Sequence, residues 1–159
     1  MSKKNVLIIG DTHEPFCHPL YKNFCYEVAN KFQCTEIVHI GDEVDNHAIS
    51  YHESKPDGHS AGREADLAQA AMYKWYKTFP NVKVCIGNHS ALHKRKAIAN
   101  GLPERFIKTY EDAWEAPRGW KWALEWEIDG VLYTHGTGSS GQAGAINRAR
   151  DARQSTVIG

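Results

Sequence analysis

The 159-residue chain is expected to fold as one α/β domain spanning residues 1–159, a layered sandwich with mixed sheets. Three observations predict this. First, β-branched runs end in glycine followed by a polar residue three times: Val6-Leu7-Ile8-Ile9-Gly10-Asp11, Ile37-Val38-His39-Ile40-Gly41-Asp42 and Val82-Lys83-Val84-Cys85-Ile86-Gly87-Asn88. Each reads as a buried strand running into a tight loop. Second, helix-periodic segments separate these runs, as in a parallel sheet with helices outside. Third, the period-two run at residues 120–128, closed by Asp129-Gly130, marks a two-residue hairpin in the second half.

Residues 5–10 form the first strand. Residues 19–32 follow as a helix with Pro19 at its start and Leu20, Phe24, Val28 and Phe32 on one stripe. Residues 36–40 form the second strand. The polar stretch 46–59, with Pro56, Asp57 and Gly58, reads as a loop over the crevice mouth. Ser60 caps a long helix over residues 61–78, with Leu67, Ala70, Ala71, Trp75 and Tyr76 inward.

Pro80-Asn81 ends that helix, and residues 82–86 form the third strand. Residues 91–112 read as short helices broken at Gly101-Leu102-Pro103. The tryptophan-rich run 120–128 is one strand, with Trp120, Trp122 and Trp126 packing the core, and residues 131–134 return as its partner. A glycine-rich connection, 136–144, leads into a helix over residues 143–153. It lacks the Gly-Lys-Ser/Thr ending of a P-loop. Ser155-Thr156-Val157-Ile158-Gly159 repeats the strand-then-glycine form, so the last strand and its motif are expected to be incomplete.

With 19 basic and 19 acidic residues the net charge is zero, and whole-chain charge does not indicate nucleic acid or membrane. The four cysteines, Cys17, Cys25, Cys34 and Cys85, have no C-x-x-C spacing, which fits a reducing cytoplasm. The N-terminus lacks a signal-peptide core, and no stretch has transmembrane length.

The chemistry is concentrated at the strand ends. Parallel sheets gather ligands beyond the carboxyl ends of their strands. Asp11 and His13, two apart, project to one side of an extended segment. Asp42, Asn88, His89 and, after the 131–134 strand, His135 reach the same edge. Carboxylate, imidazole and amide oxygen together form a donor set for a divalent ion. His18, His47, His52, His59 and His93 read as ordinary surface or packing residues, and His93-Lys94-Arg95-Lys96 as a solvated helix face.

The series D-x-H, G-D-x-x-D, G-N-H and H-G resembles the calcineurin-like metallophosphoesterase family, whose pattern closes with G-H-x-H. Val157-Ile158-Gly159 looks like the lead-in to that last motif. The resemblance implies an αββα sandwich and two divalent metal ions (Mn, Fe, Zn or Ni). Asp11 and His13 would bind the first ion, Asp42 would bridge, and Asn88 and His135 would bind the second. His89 would sit at the scissile ester, and Asp45 would support a ligand from behind. Two dications ~3.5–4 Å apart repel by roughly 19 kcal/mol at an effective dielectric of ~20, so a bridging anion is required.

The implied reaction is hydrolysis of a phosphate-ester substrate by a hydroxide activated between the ions. Phosphomonoesters, phosphoproteins, nucleotides and nucleic acids all suit such a centre. The alternatives are a metal-dependent nuclease and a non-catalytic scaffold. The chain departs from the family at Ser90, where a carboxylate would orient His89, and in lacking the G-H-x-H histidines.

Overall fold

The computed structural model describes residues 4–53, 56–138 and 143–159. The lead-in 1–3, two residues of the expected mouth loop (54–55) and the middle of the glycine-rich connection (139–142) lie outside the described residues.

The fold is a mixed α/β arrangement with two sheets. β1 (Val6–Ile9), β2 (Glu36–His39), β3 (Val82–Cys85) and β4 (Trp120–Ala123) make a parallel sheet in that order. β5 (Glu125–Ile128), β6 (Val131–Thr134) and β7 (Ser155–Ile158) make the second, with β5 antiparallel and β7 parallel to β6. The helices are α1 (Tyr21–Lys31), α2 (Ala61–Thr78), α3 (Leu92–Ala99), α4 (Tyr110–Ala113) and α5 (Gly144–Ala152). Short 3₁₀ turns occupy His47–Ile49 and Glu104–Phe106.

Period two sorts the first sheet's side chains onto two cores. Leu7, Ile9, Val82, Val84 and Trp120 pack under α1 and α2 against Cys25, Met72 and Trp75. Val38, Ile40 and Cys85 face the other way and meet Ile128 and Tyr133 of the second sheet. The Trp126 indole donates to the Val84 carbonyl at 3.0 Å and ties the sheets together. α5 packs on β7. Local chemistry sets the element ends. Ser60 Oγ accepts from the Arg63 amide and caps α2. Asp129 and Gly130, at φ 51° and 77°, form the tight turn between β5 and β6.

The structure corrects three expectations. Residues 120–128 are two strands in different sheets: the chain breaks at Leu124, which is 73% exposed. The expected common face of Trp120, Trp122 and Trp126 is therefore divided, the first two on the helix-side core and the third between the sheets. In α1 the core-facing stripe is the buried Cys25 with the partly buried Tyr21, Val28 and Ala29, while Leu20, Phe24 and Phe32 face outward. The two stripes share Val28 and differ by a small rotation about the helix axis, which spacing alone does not resolve. In α2 the buried residues are Glu64, Ala68, Met72, Trp75 and Tyr76; Ala70 is exposed, and Leu67 and Ala71 are only partly covered.

Candidate metal centre

The loops after β1, β2 and β3 leave the parallel sheet at one edge, and they are bonded to each other before any ligand is considered. His13 N donates to the Asp42 carbonyl at 2.9 Å, Glu14 N to the Glu43 carbonyl at 3.0 Å and Asp45 N to the Glu14 carbonyl at 3.0 Å. His13, Asp42 and Asn46 adopt left-handed backbone conformations, at φ 46°, 50° and 52°. Such conformations at non-glycine residues cost of order 1–3 kcal/mol each and persist where surrounding structure enforces them.

Two glycines make room for the side chains. A Cβ on Gly87 would lie 2.0 Å from Asp42 Oδ1. A Cβ on Gly41, itself at φ +119°, would lie 2.6 Å from His135 Nδ1. Gly41 and Gly87 are thus steric requirements of site residues delivered by other strands, His135 after β6 and Asp42 after β2, as well as turn residues.

All six residues singled out in the sequence come to this edge. Ligand atoms of Asp11, His13 and Asp42 lie within 4.8 Å of one another. His135 Nε2 lies 2.9 Å from Asn88 Oδ1 and 3.3 Å from Asp42 Oδ2, and its Nδ1 is 3.7 Å from Asp11 Oδ1. His89 contributes its backbone amide to Asp42 Oδ1 at 2.8 Å.

The imidazoles share one logic. His13 Nδ1 donates to Asp45 Oδ1 at 2.7 Å, His89 Nδ1 to the Asp45 carbonyl at 2.5 Å and His135 Nδ1 to the Ile40 carbonyl at 3.2 Å. With Nδ1 committed to an oxygen, His13 and His89 present Nε2 as the free position and His135 turns its Nε2 to Asn88 and Asp42, the arrangement found behind metal-ligating histidines. His13, Asp45 and His89 also form a second cluster whose ligand atoms lie within 4.8 Å. In it the Asp45 carboxylate already faces the Nδ1 side of both rings, so it acts as their support.

The charges are coupled. Burial raises Asp42, but the hydrogen bond and charge of His135 and the amides of His89 and Ser90 outweigh it and hold the carboxyl below its ordinary range. The same hydrogen bond, with the charges of Asp42 and Asp11, raises His135 against its burial. Burial raises Asp11, opposed by His135 and reinforced by Asp42.

The donor set fits divalent ions. His135 Nε2 faces two oxygens, Asn88 Oδ1 and Asp42 Oδ2, across 2.9–3.3 Å. Neighbouring ligands at right angles with bonds of about 2.1 Å lie about 3.0 Å apart. Asp42 reaches this group through Oδ2 and the Asp11–His13 group as well, which places it between two ligand sets.

Ser90 does not orient His89. It is fully buried, and its hydroxyl accepts from the amides of Asp42 (3.2 Å) and Gly87 (3.3 Å) while donating to Glu43 Oε2 at 2.5 Å. It clamps the β2 and β3 loops together, and Asp45 performs the orienting role.

A buried polar layer under the centre escaped the sequence reading. His39 is 1% exposed; its Nε2 donates to Thr12 Oγ1 at 3.1 Å and its Nδ1 accepts from the Gly41 amide at 3.2 Å. Burial drives its pKa down to about 3. Glu43, also fully buried, accepts from Ser90 and from the Trp122 indole, and burial raises its pKa. Glu14 accepts from the Trp75 indole at 2.7 Å. The available signal was position: His39 shares the helix-facing side of β2 with Ile37, where a polar residue needs a partner.

Among the described residues no helix is long and apolar enough to cross a membrane. No protein-family model matches the chain, and no curated protein matches it either.

Proposed function

We propose that the protein is a metal-dependent phosphoesterase of the calcineurin-like type, its two sheets corresponding to the inner layers of that family's αββα sandwich. The observation that carries this reading is His135 Nε2 held between Asn88 Oδ1 and Asp42 Oδ2, with Asp11 and His13 on the other side of Asp42. Asp11, His13 and Asp42 would hold one ion and Asp42, Asn88 and His135 the other. Two divalent ions held there would supply the Lewis acidity that lowers the pKa of water and neutralises phosphoryl charge.

The protein's own groups do the rest. Asp42, held low in pKa and fixed by two backbone amides, provides a permanent negative charge between the ligand sets. His13 and His135 are locked by Asp45 and Ile40, so little reorganisation accompanies the reaction. His89 has one free ring nitrogen, Nε2, since Nδ1 is bound to the Asp45 carbonyl. A water oxygen forms the new bond to phosphorus and gives up one proton to solvent, the ester P–O bond breaks, and the leaving oxygen takes the Nε2 proton of His89 in its doubly protonated form, which solvent then restores.

Hydrolysis of p-nitrophenyl phosphate and bis(p-nitrophenyl) phosphate with and without Mn(II) tests this reading. The expected result is Mn-dependent release of nitrophenolate that Asp42→Ala abolishes. Equal rates for the two proteins would overturn it.

A further inference from the structure

The neutral total conceals a segregated surface. Residues 92–108 carry five cations, Lys94, Arg95, Lys96, Arg105 and Lys108, against the single acid Glu104. Lys94 has Glu104 at 3.9 Å; the other four have no carboxylate ion-pair partner among the described residues. Arg95, Arg105 and Lys108 are exposed.

Aromatic rings interleave with these charges. Tyr51 and Phe106 are 58% and 63% exposed. Lys96 Nζ lies 3.9 Å from the Tyr51 ring centre and the Arg95 guanidinium 5.6 Å from it, and the Arg105 guanidinium lies 4.9 Å from that of Phe106. The face is continuous with the candidate centre. α3 starts directly after the His89–Ser90 loop and packs on the His47–Ile49 turn. Asn46 Nδ2 donates to the His89 carbonyl at 3.0 Å, and His93 Nδ1 to that of Ser90 at 3.1 Å.

We infer that this α3-centred face binds single-stranded nucleic acid and that the strand's phosphodiester backbone is the substrate of the adjacent centre. The inference rests on the phosphoesterase reading and names its substrate class. Unpaired lysines and arginines take up backbone phosphates and release counterions. Exposed rings stack on unpaired bases, which favours a single strand over a duplex. The cations alone would equally suit an acidic protein; the exposed rings beside them, offered to unpaired bases, favour the strand, and competition by poly-L-glutamate distinguishes the two.

The test is anisotropy of a fluorescein-labelled 20-mer of thymidylate, with EDTA present so that no cleavage occurs, from 50 to 200 mM NaCl. A log–log slope of affinity against salt of about −3 is expected, for four to five phosphates at about −0.7 each. The variant K94Q/R95Q/K96Q weakens binding at least tenfold and flattens the slope, and F106A weakens it about fivefold. The control K31Q/K77Q/R150Q, which removes as many charges elsewhere, stays within threefold of wild type.

Absent or salt-independent binding, an equal loss in the control variant, or equal competition by poly-L-glutamate would each overturn the inference. Wild-type hydrolysis of bis(p-nitrophenyl) phosphate separates the two levels. If that ester is cleaved with Mn(II) while the oligonucleotide is neither bound nor cut, the nucleic-acid inference fails alone. If no ester is cleaved, the phosphoesterase reading fails.

Discussion

Asp45 Oδ1 stands 2.7 Å from His13 Nδ1 and 3.3 Å from His89 Nδ1, so one carboxylate governs two imidazoles. The rings meet edge to face with centroids 4.7 Å apart. Both Nε2 atoms are thereby left unbonded by Asp45; on the proposed reading one would meet an ion and the other a leaving group.

Asp45→Asn removes the charge while keeping the shape. It is expected to weaken Mn(II) binding by about 10–100-fold, the usual effect of losing a ligand's supporting partner. Isothermal titration calorimetry measures it. Unchanged affinity would mean that His13 is oriented by something else.

Gly87→Ala tests the steric fit between strand ends, because the added Cβ would overlap Asp42 Oδ1 at 2.0 Å. The displaced carboxylate should lower Mn-dependent hydrolysis on the order of 100-fold, and overpacking should reduce stability by about 1–3 kcal/mol. Gly62→Ala, at a helical position with nothing within 4 Å, is the control and should leave hydrolysis unchanged while stability holds or rises by up to about 1 kcal/mol, as alanine replaces glycine in a helix.

Ser90→Ala deletes a buried hydroxyl that serves the amides of Asp42 and Gly87 and the Glu43 carboxyl. Stranding these groups should destabilise the fold by about 2–3 kcal/mol. Urea denaturation with an unchanged m-value measures it.

His39 gives the fold an acid-sensitive element. Its folded pKa, about 3, lies below the ordinary histidine value of 6.5. The unfolded chain therefore binds the proton more readily. The contribution of neutral His39 is complete above pH 6.5 and is lost as pH falls toward about 3. The loss is about 1.4 kcal/mol per pH unit for one proton. The raised pKa of Glu43 acts in the opposite direction, favouring the folded state as it protonates. The difference between wild type and His39→Gln isolates the histidine. The stability of the variant, measured in EDTA, should fall less steeply between pH 6 and 4 (about the middle of that window). Parallel curves would contradict the assignment.

The strand-ending glycines were the most legible feature. Gly41 and Gly87 each precede a site residue in sequence, Asp42 and Asn88, and in the fold they make room for distant ones, His135 and Asp42, so a local pattern pointed to a nonlocal assembly. The Ser60 cap and the Asp129-Gly130 turn were equally readable because each acts within a few residues. The break at Leu124 was not, since alternation continues in sequence while the chain crosses from one sheet to the other. Nor were the Glu43–Ser90–Trp122 and Glu14–Trp75 bonds, which join residues 47 to 79 positions apart that only the assembled fold brings together.

The most direct measurement is anomalous diffraction from crystals grown with Mn(II). Two peaks about 3.5–4 Å apart are expected, one against Asp11 and His13, one against Asn88 and His135, with Asp42 between them. No anomalous density there, or ions seated only at the Asp45 cluster, would contradict the account.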